Sequence, residues 1–122
     1  MPISYRLDGD LNAIFTSVSG VVTDSDMVAH ARRVATDPDI LAGSRALVDF
    51  SGVEKVGVTA EGIRRVAEIF RANSYAPKLA FVANADVAYG MSRMFEFQRD
   101  DSPAEIRTFR DYDEAKRWLG LP

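Results

Sequence analysis

The sequence predicts a single α/β domain spanning residues 1–122, ordered ββαβαβαβα, with a five-stranded, mixed but mostly parallel sheet and four helices. The chain opens on Ile3, Tyr5 and Leu7 alternating with Ser4, Arg6 and Asp8, the period-2 pattern of a half-buried strand. Short apolar runs then alternate with stripes of 3.6-residue period, which implies right-handed crossovers between parallel strands. No repeat, linker or low-complexity tract interrupts this order, and 122 residues suit one continuous core.

Each element has its own signal. Asp8-Gly9 offers the positive φ angles of a tight turn, so Leu11 to Gly20 should return antiparallel to the first strand. Thr23 and Asp26 form a capping-box-like pair ahead of Met27, Val28, Ala31 and Val34, whose spacing draws an apolar stripe on a first helix that stops near Asp37-Pro38. Ala46 to Phe50 reads as the next strand, ending in the acid Asp49 and giving way to a turn-rich loop through Ser51, Gly52 and Val53. A second helix starts near Thr59, with Ile63, Val66, Ala67 and Phe70 on its inner face and Arg64, Glu68 and Arg71 on the wet side. Pro77 opens the strand Leu79 to Ala83, whose unbroken apolar run suits burial on both faces. A third helix follows from about Asp86 to Arg99. Ile106 and Phe109 mark a short last strand, and Asp111 with Glu114 caps a closing helix that carries Ala115, Trp118 and Leu119.

Composition excludes several classes. A formal charge of −3 and a pI near 5.1 oppose a general binder of nucleic-acid phosphates. Cysteine is absent and His30 is the single histidine, which removes thiolate and histidine-cluster metal sites; His30 itself reads as a surface residue. The pairs Asp8/Asp10, Asp24/Asp26 and Asp37/Asp39 fall in turns and helix starts, where Asp is favoured without any metal. Gly52, Gly57 and Gly62 lack the spacing of a dinucleotide fingerprint and no P-loop is present, so no cofactor is expected. No apolar run approaches the roughly 20 residues needed to cross a bilayer, and the N-terminus lacks a signal-peptide core. The expectation is a cytoplasmic protein without stable membrane insertion.

The segment Leu47-Val48-Asp49-Phe50-Ser51-Gly52-Val53 resembles the strand and loop of STAS domains, found in bacterial anti-sigma-factor antagonists and the tails of sulfate transporters. Tyr89-Gly90-Met91-Ser92-Arg93-Met94-Phe95-Glu96 and the ending Phe109-Arg110-Asp111-Tyr112-Asp113-Glu114-Ala115-Lys116-Arg117-Trp118-Leu119 are similar to the SpoIIAA-like group of small stand-alone bacterial proteins. The resemblance covers nearly the whole chain. It implies a compact α/β domain without established catalysis, used in protein contact or small-ligand sensing. Anti-sigma antagonists carry an Asp-Ser-Ser-Gly-like segment before the second helix, with a serine that a partner kinase phosphorylates. Here the stretch is Gly57-Val58-Thr59-Ala60, and only Thr59 keeps a hydroxyl. A phosphate there would sit at a helix N-terminus; a plain N-cap, contributing about 1 kcal/mol, is the simpler use.

Sites in open α/β sheets gather where strands end and helices begin. The junctions Asp49 to Thr59, Asn84 to Ala88 and Arg110 to Asp113 should therefore share one rim, and Asp49, Thr59 and Arg93 are the candidate ligand-binding or regulatory residues. On the third helix, Val87, Ala88, Met91, Met94 and Phe95 share a face expected to pack on the sheet. Tyr89, Arg93 and Glu96 lie opposite with Phe97 at the edge, a surface suited to a two-fold homodimer or another protein partner. Together these point to a non-enzymatic regulatory or ligand-sensing domain acting through protein–protein contact, with a small apolar or anionic ligand. Two alternatives carry different requirements. A lipid or apolar-ligand carrier needs a cavity of roughly 300 Å³ or more, and a hydrolase-type enzyme would use Asp49 or Glu96 as general base in a water-excluding pocket.

Overall fold

The computed structural model describes residues 2–41, 43–72, 78–99 and 104–122. Its elements run β1 (Ile3–Asp8), β2 (Ala13–Thr23), α1 (Asp24–Thr36), β3 (Arg45–Gly57), α2 (Ala60–Ala72), β4 (Lys78–Val82), α3 (Asp86–Gln98), β5 (Glu105–Phe109) and α4 (Tyr112–Leu119). Pro77, expected to open β4, lies outside the described residues. The five strands form one sheet in sequence order, antiparallel between β1 and β2 and parallel from β2 to β5. Crossovers of one hand that always step the same way along a sheet deposit their helices on one face. Thus α1 and α2 pack side by side, as do α2 and α3, while α4 folds back over the other face onto β3, β4 and β5.

The larger core lies under α1 to α3. Its centre is a chain of aromatic rings: Phe50 of β3 meets Phe81 of β4 at 5.9 Å, Phe81 meets Phe95 of α3 at 5.2 Å and 87°, and Phe95 meets Phe70 of α2 at 6.0 Å and 90°. Edge-to-face pairs of this kind add about 0.5–1.5 kcal/mol each beyond the area they bury. The smaller core, under α4, joins Ala13, Leu47, Ala80 and Val82 to Ala115, Leu119 and Leu121. Arg45 fastens α4 at its far end, donating to the carbonyls of Leu119 and Gly120 at 3.0 and 3.1 Å and to that of Leu11 at 2.5 Å.

Local chemistry explains most boundaries. Thr23 and Asp26 make the expected capping box, Asp111 accepts the Asp113 N–H at 3.2 Å, and Gly120 closes α4 in the left-handed region with φ 76°. The first turn differs from expectation, because the positive φ falls on Asn12 (50°), and Asp8 Oδ1 braces the connection by accepting the Leu11 N–H at 3.1 Å. The larger departure is β3. Ser51, Gly52 and Val53 form no loop; the strand continues to Gly57 along β2, with register shifts between Ser17 and Ser19 and between Gly20 and Val21. A Cβ at Gly52 would stand 3.1 Å from that of Ser19 and 3.3 Å from the Val18 carbonyl, so the glycine permits a close approach of irregularly paired strands.

The lengthened β3 carries the start of α2 to the start of α1. Thr59 caps α2 by accepting the Gly62 N–H at 3.1 Å, and its own N–H and hydroxyl donate to the two Asp24 carboxylate oxygens at 2.8 and 2.6 Å. A side chain at Gly62 would overlap that carboxylate. Gly62→Ala should therefore lower unfolding stability by about 1–2 kcal/mol, measured by urea titration. In an Asp24→Ala background the same change should become neutral or stabilising, since alanine exceeds glycine in helices by up to about 1 kcal/mol. Equal costs in both backgrounds would contradict the clasp.

Candidate functional site

Of the candidate side chains, Tyr89, Arg93, Glu96 and Phe97 lie on α3, Asp49 on the opposite face of the sheet and Thr59 at the start of α2. Around α3 the buried residues are Ala88, Met91, Ser92 and Phe95. Val87 is 67% exposed, Met94 44% and Phe97 81%, so Val87 and Met94 do not pack on the sheet as their spacing suggested. The reason is rotational. Ser92 buries its hydroxyl by donating to the Ala88 carbonyl at 2.9 Å, and the inward stripe centres on residues 88, 92 and 95. Val87, Gly90, Met94 and Phe97 consequently recur every three or four residues as a second, outward stripe.

The expected interface residues divide accordingly. Arg93 is exposed beside this stripe, with its Nε 3.8 Å from Glu96. Glu96 turns toward β5 and accepts the Thr108 hydroxyl at 3.0 Å. Tyr89 packs against the larger core, and the Arg110 guanidinium covers its ring at 4.2 Å. Arg110 also reaches Asp86 at 2.9 Å and the Asn84 carbonyl at 3.1 Å, joining the last two strand-to-helix junctions.

Asp49 is elsewhere. It stands within β3, level with Val82 at the end of β4, and Oδ1 accepts the Ser51 N–H at 2.9 Å. Its side chain lines a 190 Å³ hollow with Ser4, Arg6, Phe15, Ser17 and Tyr112, on the α4 face of the sheet. Tyr89 packs with the core on the other face. The shared rim expected for Asp49, Thr59 and Arg93 does not form: Asp49 faces the α4 side, Thr59 lies beyond the end of β3, and Arg93 is outside α3. The physical reason is that β3 runs on past Asp49 to Gly57, which carries Thr59 away from it.

Thr59 serves as an N-cap. Its hydroxyl hydrogen bond to Asp24, with the backbone bond beside it, holds that carboxyl below the usual carboxylate range. A phosphate on Thr59 would remove the hydroxyl donor and face the Asp24 charge.

Among solved structures, the chain is similar to an uncharacterized protein of the DUF3478 family with a SpoIIAA-like fold from Shewanella loihica PV-4, with a TM-score of 0.63 and 14% identity over 96% of this chain and 93% of that one. The fold is SpoIIAA-like. At that identity the likeness concerns architecture. No family model matches the sequence, and no curated protein matches it. Within the described residues no helix is long and apolar enough to cross a membrane, and no three His, Cys, Asp or Glu side chains are grouped to hold a metal ion.

In this SpoIIAA-like domain the space that the described residues leave between Val48, Phe81 and the α1 to α3 side chains facing them is small. A cavity of about 40 Å³ remains, lined by Met27, His30, Phe81, Met91, Ser92 and neighbouring apolar side chains. That is room for a water or two, far below a lipid. His30 is a correction to the sequence reading, since it is only 6% exposed. It completes an inward row with Met27 and Val34 at helical spacing, a signal that the polar character of histidine obscured. Its ring meets the Tyr5 ring edge-on at 5.6 Å, and Nδ1 is buried without a hydrogen-bond partner among the described residues.

Burial, helped by the nearby Arg33 charge, lowers the His30 pKa to about 4. The unfolded chain takes up a proton near pH 6.5 that the folded chain refuses until about pH 4. The stabilisation from neutral His30 is full above pH 6.5 and is lost as pH falls through this window, up to roughly 3 kcal/mol. Urea midpoints at pH 7, 5.5 and 4.5 should fall for the wild type and fall less for His30→Leu; equal slopes would contradict the buried neutral imidazole.

Proposed function

We propose that this chain is a non-enzymatic regulatory module that works through protein contact, and that the outward face of α3 is its contact surface. The observation that carries the reading is the stripe of Val87, Gly90, Met94 and Phe97, in which the most exposed large apolar side chain, Phe97, stands 81% open. Apolar side chains aligned on one helix face, bordered by charge, have the anatomy of an interface core and rim. Phenylalanine and methionine are both enriched in the cores of such contacts.

A second copy of the chain fits this surface. Space is open outside Gly90, where a Cβ would meet nothing within 4 Å. Antiparallel α3 helices related by a two-fold axis passing between residues 93 and 94 would set Phe97 of each copy over Gly90 of the other. Arg93, exposed beside the stripe, then stands at the border of the contact.

Against a hydrolase, Asp49 and Glu96 lie on different surfaces, and neither is in a water-excluding pocket among the described residues. Apolar-ligand carriage ranks second. The interior beneath α3 is apolar, but its 40 Å³ would have to grow to roughly 300 Å³ by displacing a helix.

Sedimentation equilibrium tests the contact. The wild type should self-associate, and Phe97→Asp should weaken the association at least about tenfold, equivalent to 1.4 kcal/mol, with unchanged circular dichroism. A wild type that stays monomeric, or a Phe97→Asp variant that associates equally well, would reject the homodimer.

A further inference from the structure

The geometry points to a binding site for a small zwitterion in the hollow on the open half of the sheet, a surface separate from α3 and independent of the contact proposed there. Three strands build it in register. Ser4, Ser17 and Asp49 form one cross-strand row, and Arg6, Phe15 and Leu47 form the next. Alternation places these six side chains on the face that α4 covers only over β3 to β5. Tyr112, in the first turn of α4, supplies the wall where that cover begins. The hollow measures 190 Å³, the scale of a molecule of about ten non-hydrogen atoms or fewer.

Its polar groups are held on three strands and the first turn of α4, and most are not engaged with one another. Arg6 leans inward, its guanidinium 4.3 Å from the centroid of Phe15, and it makes no ion pair among the described residues. Asp49 spends Oδ1 on the Ser51 N–H, while Oδ2 has no partner among the described residues. The hydroxyls of Ser4, Ser17 and Tyr112 make no hydrogen bond to described residues. Arg6 and Asp49 stand two strands and one row apart, about 12 Å between backbones, and do not close on a direct ion pair.

The charge arrangement selects the ligand class. A simple anion at Arg6 would also face the Asp49 carboxylate, and a simple cation at Asp49 would face the guanidinium. A molecule with an anionic group at one end and an ammonium at the other engages both charges at once, which a simple anion or cation does not. The serine and tyrosine hydroxyls then donate to or accept from its polar atoms, beside the Arg6 guanidinium that covers the half-buried Phe15 ring.

4-Aminobutanoate is a suitable probe, with butanoate and butylamine as controls that each lack one charge. In a ¹⁵N–¹H titration of the full chain, 4-aminobutanoate should give saturable amide shifts confined to residues 4–6, 15–17 and 49–51, with at least about tenfold weaker responses to the controls. Arg6→Ala and Asp49→Asn should each abolish saturation while leaving the rest of the spectrum unchanged, because Arg6 is exposed and asparagine keeps the acceptor for Ser51. Ser17→Val, which fills the middle of the hollow with a strand-favouring side chain, should do the same. The proposal is overturned by an absence of saturable shifts, by equal responses to probe and controls, or by binding that survives these substitutions.

Discussion

The seating of Phe95 on Phe81 fixes what this molecule presents to its surroundings. The 5.2 Å edge-to-face contact, continued to Phe70, ties α3 to the sheet and to α2 at one rotational setting. Removing a buried phenylalanine of this kind costs about 3–5 kcal/mol, so the setting is not lightly exchanged for another. Once Phe95 points inward, Ala88 and Ser92 must follow, and Val87, Met94 and Phe97 are carried outward whatever their hydrophobicity. The exposed apolar stripe is therefore a consequence of core packing, and its exposure is the physical basis for assigning it a contact role.

Topology adds a second asymmetry. Sequential parallel crossovers place three helices on one face of the sheet and leave the other to α4 alone. An eight-residue helix is about 12 Å long and cannot cover five strands spaced about 4.8 Å apart. The polar rows of β1 and β2 and the Asp49 side of β3 remain open beside it. One domain thus has an apolar outer helix on one side and a charged, hydroxyl-rich hollow on the other. A contact through the first surface leaves the second accessible, so contact and small-molecule binding need not compete for the same residues.

The sequence made the element order legible because each periodic signal was strong and locally consistent. The Thr23/Asp26 box, the Asp111 cap and the apolar run of β4 all lie where their chemistry suggested. What it obscured were features decided across the chain. Ser51-Gly52 has turn composition, yet the long β2 partner holds it in a strand, and only the closeness of Ser19 reveals why glycine stands there. That one reassignment moved Asp49 away from Thr59. His30 was hidden by its polarity, and Val87 and Met94 by their lack of it: in each case tertiary packing chose the helix face against the side chain's own preference. Arg6, Phe15 and Ser17 carried no motif at all, since a site assembled by register across three strands leaves no local spacing to find.

The two methionines of α3 report the central claim directly, because Met91 is 8% exposed and Met94 44%. Methyl relaxation with a soluble paramagnetic agent, recorded over a series of protein concentrations, reads both at once. The account predicts that Met91 stays protected throughout, while Met94 is accessible in dilute protein and becomes protected as concentration rises. Equal accessibility of the two methyls, or a Met94 that stays accessible at every concentration, would contradict it.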